Sequence, residues 1–151
     1  MAEFPEACGG NEVQSYNSRV LLDGIITGTK KALAAGVSVG LGTDTGCPFT
    51  THYDMWRELE YAHKLLKIDR NKALHLGTLA NAKILGIDDI TGSIEVGKQA
   101  DMVVVNNNPL DGFKTIAEPD RVIFGGVEYL HPQVKKSEIC EKYLNGYLET
   151  L

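Results

Sequence analysis

The sequence is poor in the features that declare a function early. It has only three cysteines, Cys8, Cys47 and Cys140, odd in number and far apart. No CxxC or zinc-knuckle spacing joins them, so they read as reduced thiols of a cytoplasmic protein. No apolar run approaches the ~20 residues that a membrane-spanning helix needs. The opening MAEFPEACGG lacks the apolar core of an export signal. Basic residues are in deficit: 15 Lys and Arg stand against 20 Asp and Glu, for a formal net charge of −5. That argues against nucleic acid or anionic membrane as the main partner. Neither HxH nor HExxH occurs, and no Gly-Lys-Ser/Thr closes a Walker loop. Internal repeats, low-complexity tracts and long charge runs are missing too.

What is present is ordinary globular material. Hydrophobic residues make up 43% and charged residues 23% of 151, enough for one domain of usual size. Residues 1–14, punctuated by Pro5, Gly9 and Gly10, read as irregular. Leu22, Ile25, Ile26, Thr29 and Leu33 keep a helical period, which predicts a helix from Ser18 to Ala35 stopped by Gly36. Segment 37–43, VSVGLGT, reads as a strand with unequal faces. Val37, Val39 and Leu41 form a bulky face; Ser38, Gly40 and Gly42 form a bare one that Asp44 continues.

A second helix is expected from His52 to Leu66, with Trp56, Leu59, Ala62, His63 and Leu66 as its apolar stripe. A third should run from Arg70 to Leu85, capped by Asp69 and ended by Gly86. After Gly86 the pattern changes to short strands: one in TGSIEV, a Val-rich one ended by Asn106-Asn107-Asn108-Pro109, and a hairpin turning at Gly125-Gly126. A last amphipathic helix is expected over 135–149, with Ile139, Tyr143, Leu144 and Leu148 on its apolar face. Strand 37–43 has no partner nearby in sequence, although a strand of this kind needs neighbours on its edges.

Asp44 sits in the turn GLGTDTG, where an aspartate is most often a turn residue or a helix cap. A dinucleotide site fits poorly. The spacing is GxGxxxG, and the next acidic residues, Glu58 and Glu60, lie inside a helix. Among the histidines, His63 falls on an apolar stripe, His75 on a helix surface and His131 in a connection. His52 follows Asp44 by eight residues, in a loop at the same strand end, where sites tend to form. Cys47 with Asp44 offers two ligands at most, too few for a metal. Tyr53 and Trp56 read as packing residues of the second helix.

Three stretches point the same way: AGVSVGLGTDTG, DMWRELEYA and ALHLGTLANAKILGIDDITGSIEVGKQADMVVVNNNPL. Together they resemble the C-terminal part of the metal-dependent amidohydrolase superfamily, in its imidazolonepropionase-like and prolidase-like branch. The specific portion holds Thr78, Asn81, Ala82 and Gly86, then Gly92-Ser93-Ile94-Glu95 and Gly97-Lys98-x-Ala100-Asp101. The resemblance covers residues 20–130.

The resemblance implies an α/β fold: the last strand and helices of an incomplete (β/α)8 hydrolase barrel, plus the C-terminal strands of a small β-sandwich. Residues 1–86 would belong to the barrel, 87–134 to the sandwich and 135–151 to a terminal helix. Segment 37–44 would be the eighth barrel strand, with its bulky face on the outer helices and its bare face inward. Asp44 would be metal ligand and proton shuttle, with Thr45, Gly46, Pro48 and His52 at the rim of the substrate pocket. The implied parent hydrolyses a C–N bond in a small amide, peptide-like or cyclic amide substrate. It uses a divalent metal, zinc in the first instance, which this chain alone would not hold tightly.

The family's HxH and its mid-barrel ligands are not in this sequence, and a barrel takes about 250 residues. The chain is therefore expected to act as a C-terminal fragment, inactive alone. It would pair with the missing N-terminal barrel segment and would self-associate through open edges. The rival expectation is a stand-alone, non-catalytic remnant that works as a binding or oligomerisation module.

Overall fold

The structure, a computed structural model, describes residues 10–47 and 49–151. Among the described residues, five α-helices and a three-stranded antiparallel sheet are connected by turns. Helix α1, Glu12–Ala34, starts earlier than its apolar period predicts. The reason is a capping box: Asn11 Oδ1 accepts from the Gln14 N–H at 3.0 Å, and Gln14 Oε1 accepts from the Asn11 N–H at 2.9 Å. The stop is as expected. Gly36 takes φ 74, and Val37 N–H reaches back to Ala32 O at 2.9 Å.

Segment 37–43 is not a strand among the described residues. No neighbouring strand offers a backbone ladder; a side chain takes that place. The Leu41 N–H donates to Asn81 Oδ1 at 2.9 Å, and Asn81 Nδ2 donates to Leu41 O at 2.8 Å. Gly40 is required by this approach, because a Cβ there would lie 2.1 Å from Asn81 Oδ1. The expected facing therefore needs correction. Val39 and Leu41 are half-buried, but Val37 is 57% exposed, and Gly40 meets a helix rather than a barrel interior.

Helix α2, Met55–Leu66, begins after His52 and Tyr53, which lie in the preceding turn. The predicted third helix is two. Helix α3, Arg70–Gly77, is capped by Asp69 Oδ1 on the Lys72 N–H at 2.7 Å, as expected. It breaks at Thr78, whose φ −124 and ψ −98 are not helical and whose hydroxyl caps Leu74 O at 2.7 Å. Helix α4, Leu79–Leu85, then carries Asn81 towards Leu41 and ends at Gly86 with φ 69.

The strand expected in TGSIEV does not form; the segment is a run of turns. Strands β1, Met102–Val104, β2, Arg121–Phe124, and β3, Val127–Leu130, make the sheet in the order β1-β2-β3. The hairpin turns at Gly125-Gly126 as predicted, with φ 59 and 82. Between β1 and β2 a 3-10 turn, Phe113–Ala117, drops Phe113 into the core at 0% exposure. There it joins Trp56, Leu59 and Ala62 of α2 and Ala73 of α3, with Leu41 packed alongside. Helix α5, Glu138–Thr150, lies against α2 with Leu144 buried. Ile139 is 56% exposed, so the face of α5 that docks is not centred where its apolar spacing suggests.

Candidate functional site

Asp44 stands exposed where the extended segment ends, at φ 49. A left-handed backbone is tolerated by aspartate better than by most residues. The turn beyond it is closed by short local bonds. Thr43 and Thr45 hydroxyls share a hydrogen bond at 2.7 Å. Cys47 N–H donates to Thr50 Oγ1 at 3.0 Å, Thr50 Oγ1 donates to Cys47 O at 2.7 Å, and Gly46 sits at φ 113. Phe49 is also left-handed, at φ 61. A bulky residue held there costs on the order of 1 kcal/mol, so the surrounding contacts must fix it.

Asp44 has a carboxylate neighbour that the sequence did not single out. Glu58, in the first turn of α2, is pushed up to about 7, first by burial and then by the negative charge of Asp44. The two groups face the same space, and the field of one opposes ionisation of the other. Deeper in α2, Arg57 is buried at 2% exposure over the Trp56 ring, with its guanidinium 4.4 Å from the ring centroid. It pairs with Asp54 at the head of α2 and with Glu141 of α5, at 2.8 Å in the latter case. Glu60 is stabilised as a carboxylate despite burial by Arg70 at 2.9 Å and by the Phe113 N–H.

The other predicted rim residues are only partly gathered. Thr45 and Gly46 belong to the Asp44 turn. Pro48 lies outside the described residues. His52 is exposed and sets its ring edge on Tyr53, with centroids 5.3 Å apart. Among the described residues no hydrogen bond or ion pair joins His52 to Asp44. His63, read as a packed helix residue, has Nδ1 2.6 Å from Ile68 O. Two open clefts of about 420 and 380 Å³ lie elsewhere, one at Asn106–Asn108 and Glu118, the other between Trp56, Phe113 and Asn145. Neither includes Asp44.

A profile of the amidohydrolase family matches residues 15–128. The chain belongs to the amidohydrolase family. This chain is 30% identical over 142 residues to a 5-methylthioadenosine/S-adenosylhomocysteine deaminase of Thermodesulfovibrio yellowstonii, covering 89% of itself and 30% of that protein. It is 38% identical over 80 residues to a 5'-deoxyadenosine deaminase of Methanobrevibacter smithii, covering 48% of itself and 18% of that protein. Among solved structures, a prolidase candidate from Bifidobacterium longum superposes on 99% of this chain and 36% of its own, with TM-score 0.90 and 36% identity. A Xaa-Pro dipeptidase with bound methionine in the active site covers 85% of this chain and 32% of its own, with TM-score 0.71 and 30% identity. The chain thus spans between about a fifth and about a third of the length of these four relatives.

Amidohydrolases generally use a divalent metal, which raises the question of what this member could offer one. Among the described residues no three His, Cys, Asp or Glu side chains come together as a metal-binding group. Asp44 is an exposed carboxylate, and Glu58 holds its proton to about 7, which makes it a poor donor near neutrality. His52 is turned onto Tyr53. These residues do not by themselves fit a catalytic metal, which takes three protein ligands and an open position.

Proposed function

We propose that this chain is the C-terminal part of a metal-dependent C–N hydrolase of the prolidase type, and that it contributes Asp44 to a site completed by the N-terminal barrel segment. The observation that carries this reading is the superposition on the Bifidobacterium longum prolidase candidate, 99% of this chain at TM-score 0.90 and 36% identity. The E. coli guanine deaminase structure covers only 70% of the chain at TM-score 0.57, which favours a peptide-like amide over a nucleobase as substrate. In this reading segment 37–44 is the last barrel strand, paired on its open edges by the missing segment. Asp44 accepts a proton on its carboxylate while water attacks the amide carbonyl, and passes it to the leaving amine. The chain alone is inactive, resides in the cytoplasm, and self-associates through faces that the missing segment would cover.

The test mixes this full chain with the remaining N-terminal portion of the Bifidobacterium longum relative and follows proline release from Xaa-Pro dipeptides. 5'-Deoxyadenosine deamination is the parallel assay. Neither component alone should release proline. The mixture should, and Asp44→Asn should lower that rate by about 100-fold or more. Equal activity in the Asp44→Asn mixture, or deamination in place of proline release, would overturn the proposal.

A further inference from the structure

Four contacts join the loop after Asp44 and the first turn of α2 to the C-terminal helix and its N-cap. The Tyr53 hydroxyl accepts from the Ser137 N–H at 2.9 Å, just before α5. Arg57, itself paired with Asp54, donates to Glu141 Oε2 and to Asn145 Oδ1, each at 2.8 Å. Phe49 and Tyr143 meet ring edge to face, with centroids 5.7 Å apart and planes at 82°. Glu141 and Asn145 are spaced by four, so they share one face of α5, and both take Arg57. Ser137 meets Tyr53 through its backbone just before the helix, while Tyr143 reaches further back to Phe49.

We infer that α5 is a strap that positions the Asp44 loop, with Glu141 and Tyr143 as positioning residues acting through Arg57–Asp54 and Phe49. Phe49 holds a left-handed backbone that its own side chain does not favour. The Tyr143 ring covers it from a distant part of the sequence. Asp54 carries the start of α2, accepts from Thr51 Oγ1, and is held by Arg57. Glu141 is the group that anchors that arginine from α5. Loss of the Tyr143 and Glu141 contacts therefore loosens both ends of the turn, at Phe49 and at Asp54, while Leu148 of α5 keeps its place against the core around Ala73. The consequence for catalysis rests on the role proposed for Asp44; the mechanical coupling does not.

Amide hydrogen exchange of the full chain, without substrate or metal, tests the strap apart from any activity. The reporters are the hydrogen-bonded loop amides of Gly46, Cys47, Thr50 and Asp54. In Tyr143→Ala and Glu141→Ala these should exchange about three- to tenfold faster, with the amides of Ala73, Leu76 and Ala82 unchanged. Ile139→Ala, on the exposed side of α5, should match the parent. Unchanged loop exchange in both variants, or uniform acceleration across loop and core, would each overturn the inference.

Discussion

Helix α2 is 12 residues long and buries Trp56, Arg57, Leu59, Glu60 and Ala62, whereas helix α1 is 23 residues long and buries none. Both are well-formed helices with apolar stripes, so propensity does not separate them. Helix α2 is covered by α3, the 3-10 turn and α5, which also satisfy its buried charges. Helix α1 leaves Val13 at 67%, Tyr16 at 68% and Leu21 at 65% exposure. The sheet repeats the contrast. Its register puts Val103, Val122 and Tyr129 on one face with Phe124 and Val127. That face carries no charge, yet Phe124 is 66% and Val127 56% exposed. The chain exposes 9683 Å² in all, against about 7,500 Å² for a compact monomer of this mass. One region is a finished core. The other, helix α1 and one face of the sheet, keeps large apolar side chains at the surface.

The contrast is broken most directly at its buried end. Phe113→Ala should cost about 3–5 kcal/mol, because the ring is fully enclosed by α2 and α3 residues that cannot collapse onto the space. Leu21→Ala, a similar truncation on α1, should cost less than about 0.5 kcal/mol. Urea unfolding of the two variants checks the pair. Comparable losses would mean that α1 is covered after all.

Asn81→Ala probes the seam between the regions. It removes both bonds to Leu41 and leaves a half-buried N–H and C=O without their partner. A loss of about 1–3 kcal/mol is expected, with faster exchange of the Leu41 amide. A loss below about 0.5 kcal/mol would show that segment 37–43 is held by something other than this side chain.

Glu58 sharpens the comparison through pH. Its carboxyl is raised from an ordinary 4.5 to about 7 in the folded chain. Between those values the folded state binds more protons than the unfolded state, so stability falls as pH rises through the window. Partial solvent access reduces the effect to on the order of 1–2 kcal/mol. Glu58→Gln should therefore gain stability relative to the parent at pH 8 and show no such gain at pH 4. Parallel pH profiles for the two proteins would place Glu58 in solvent.

Much of the α2 region is legible in the sequence because its signals are local. The Asp69 cap, the Gly36 and Gly86 stops, the Trp56–Leu59–Ala62 stripe and the Gly125-Gly126 turn are each set within a few residues. The Asn11–Gln14 capping box was equally local but lay in a segment whose Pro and Gly suggested disorder of pattern. Asp44 is singled out by its place in GLGTDTG and by the family resemblance. Its surroundings are not legible in the sequence. Glu58 comes near it only once α2 packs. Asn81 substitutes for a strand from 40 residues away, and the Phe49–Tyr143 contact spans most of the chain. The strand expected at 37–43 failed for a related reason. Its alternation is that of a strand, but a strand is defined by neighbours, and none lies among the described residues.

The smallest expected effect on folding is also the most direct test of what the sheet face is for. Phe124→Glu places a charge on the apolar face beside the hairpin turn, where the side chain is already 66% exposed and stands opposite Val127. Stability should change by less than about 0.5 kcal/mol, since little burial is lost. Association should change more. If the face is covered by a second copy in solution, two added carboxylates meet across it, and mass by light scattering should fall towards the monomer as concentration is lowered. Lys142→Gln, an equal charge change of one negative unit on α5, controls for net charge. Unfolding by about 2 kcal/mol or more would instead reveal cover for Phe124 within the chain. An unchanged mass in both variants would move self-association away from the sheet and onto α1.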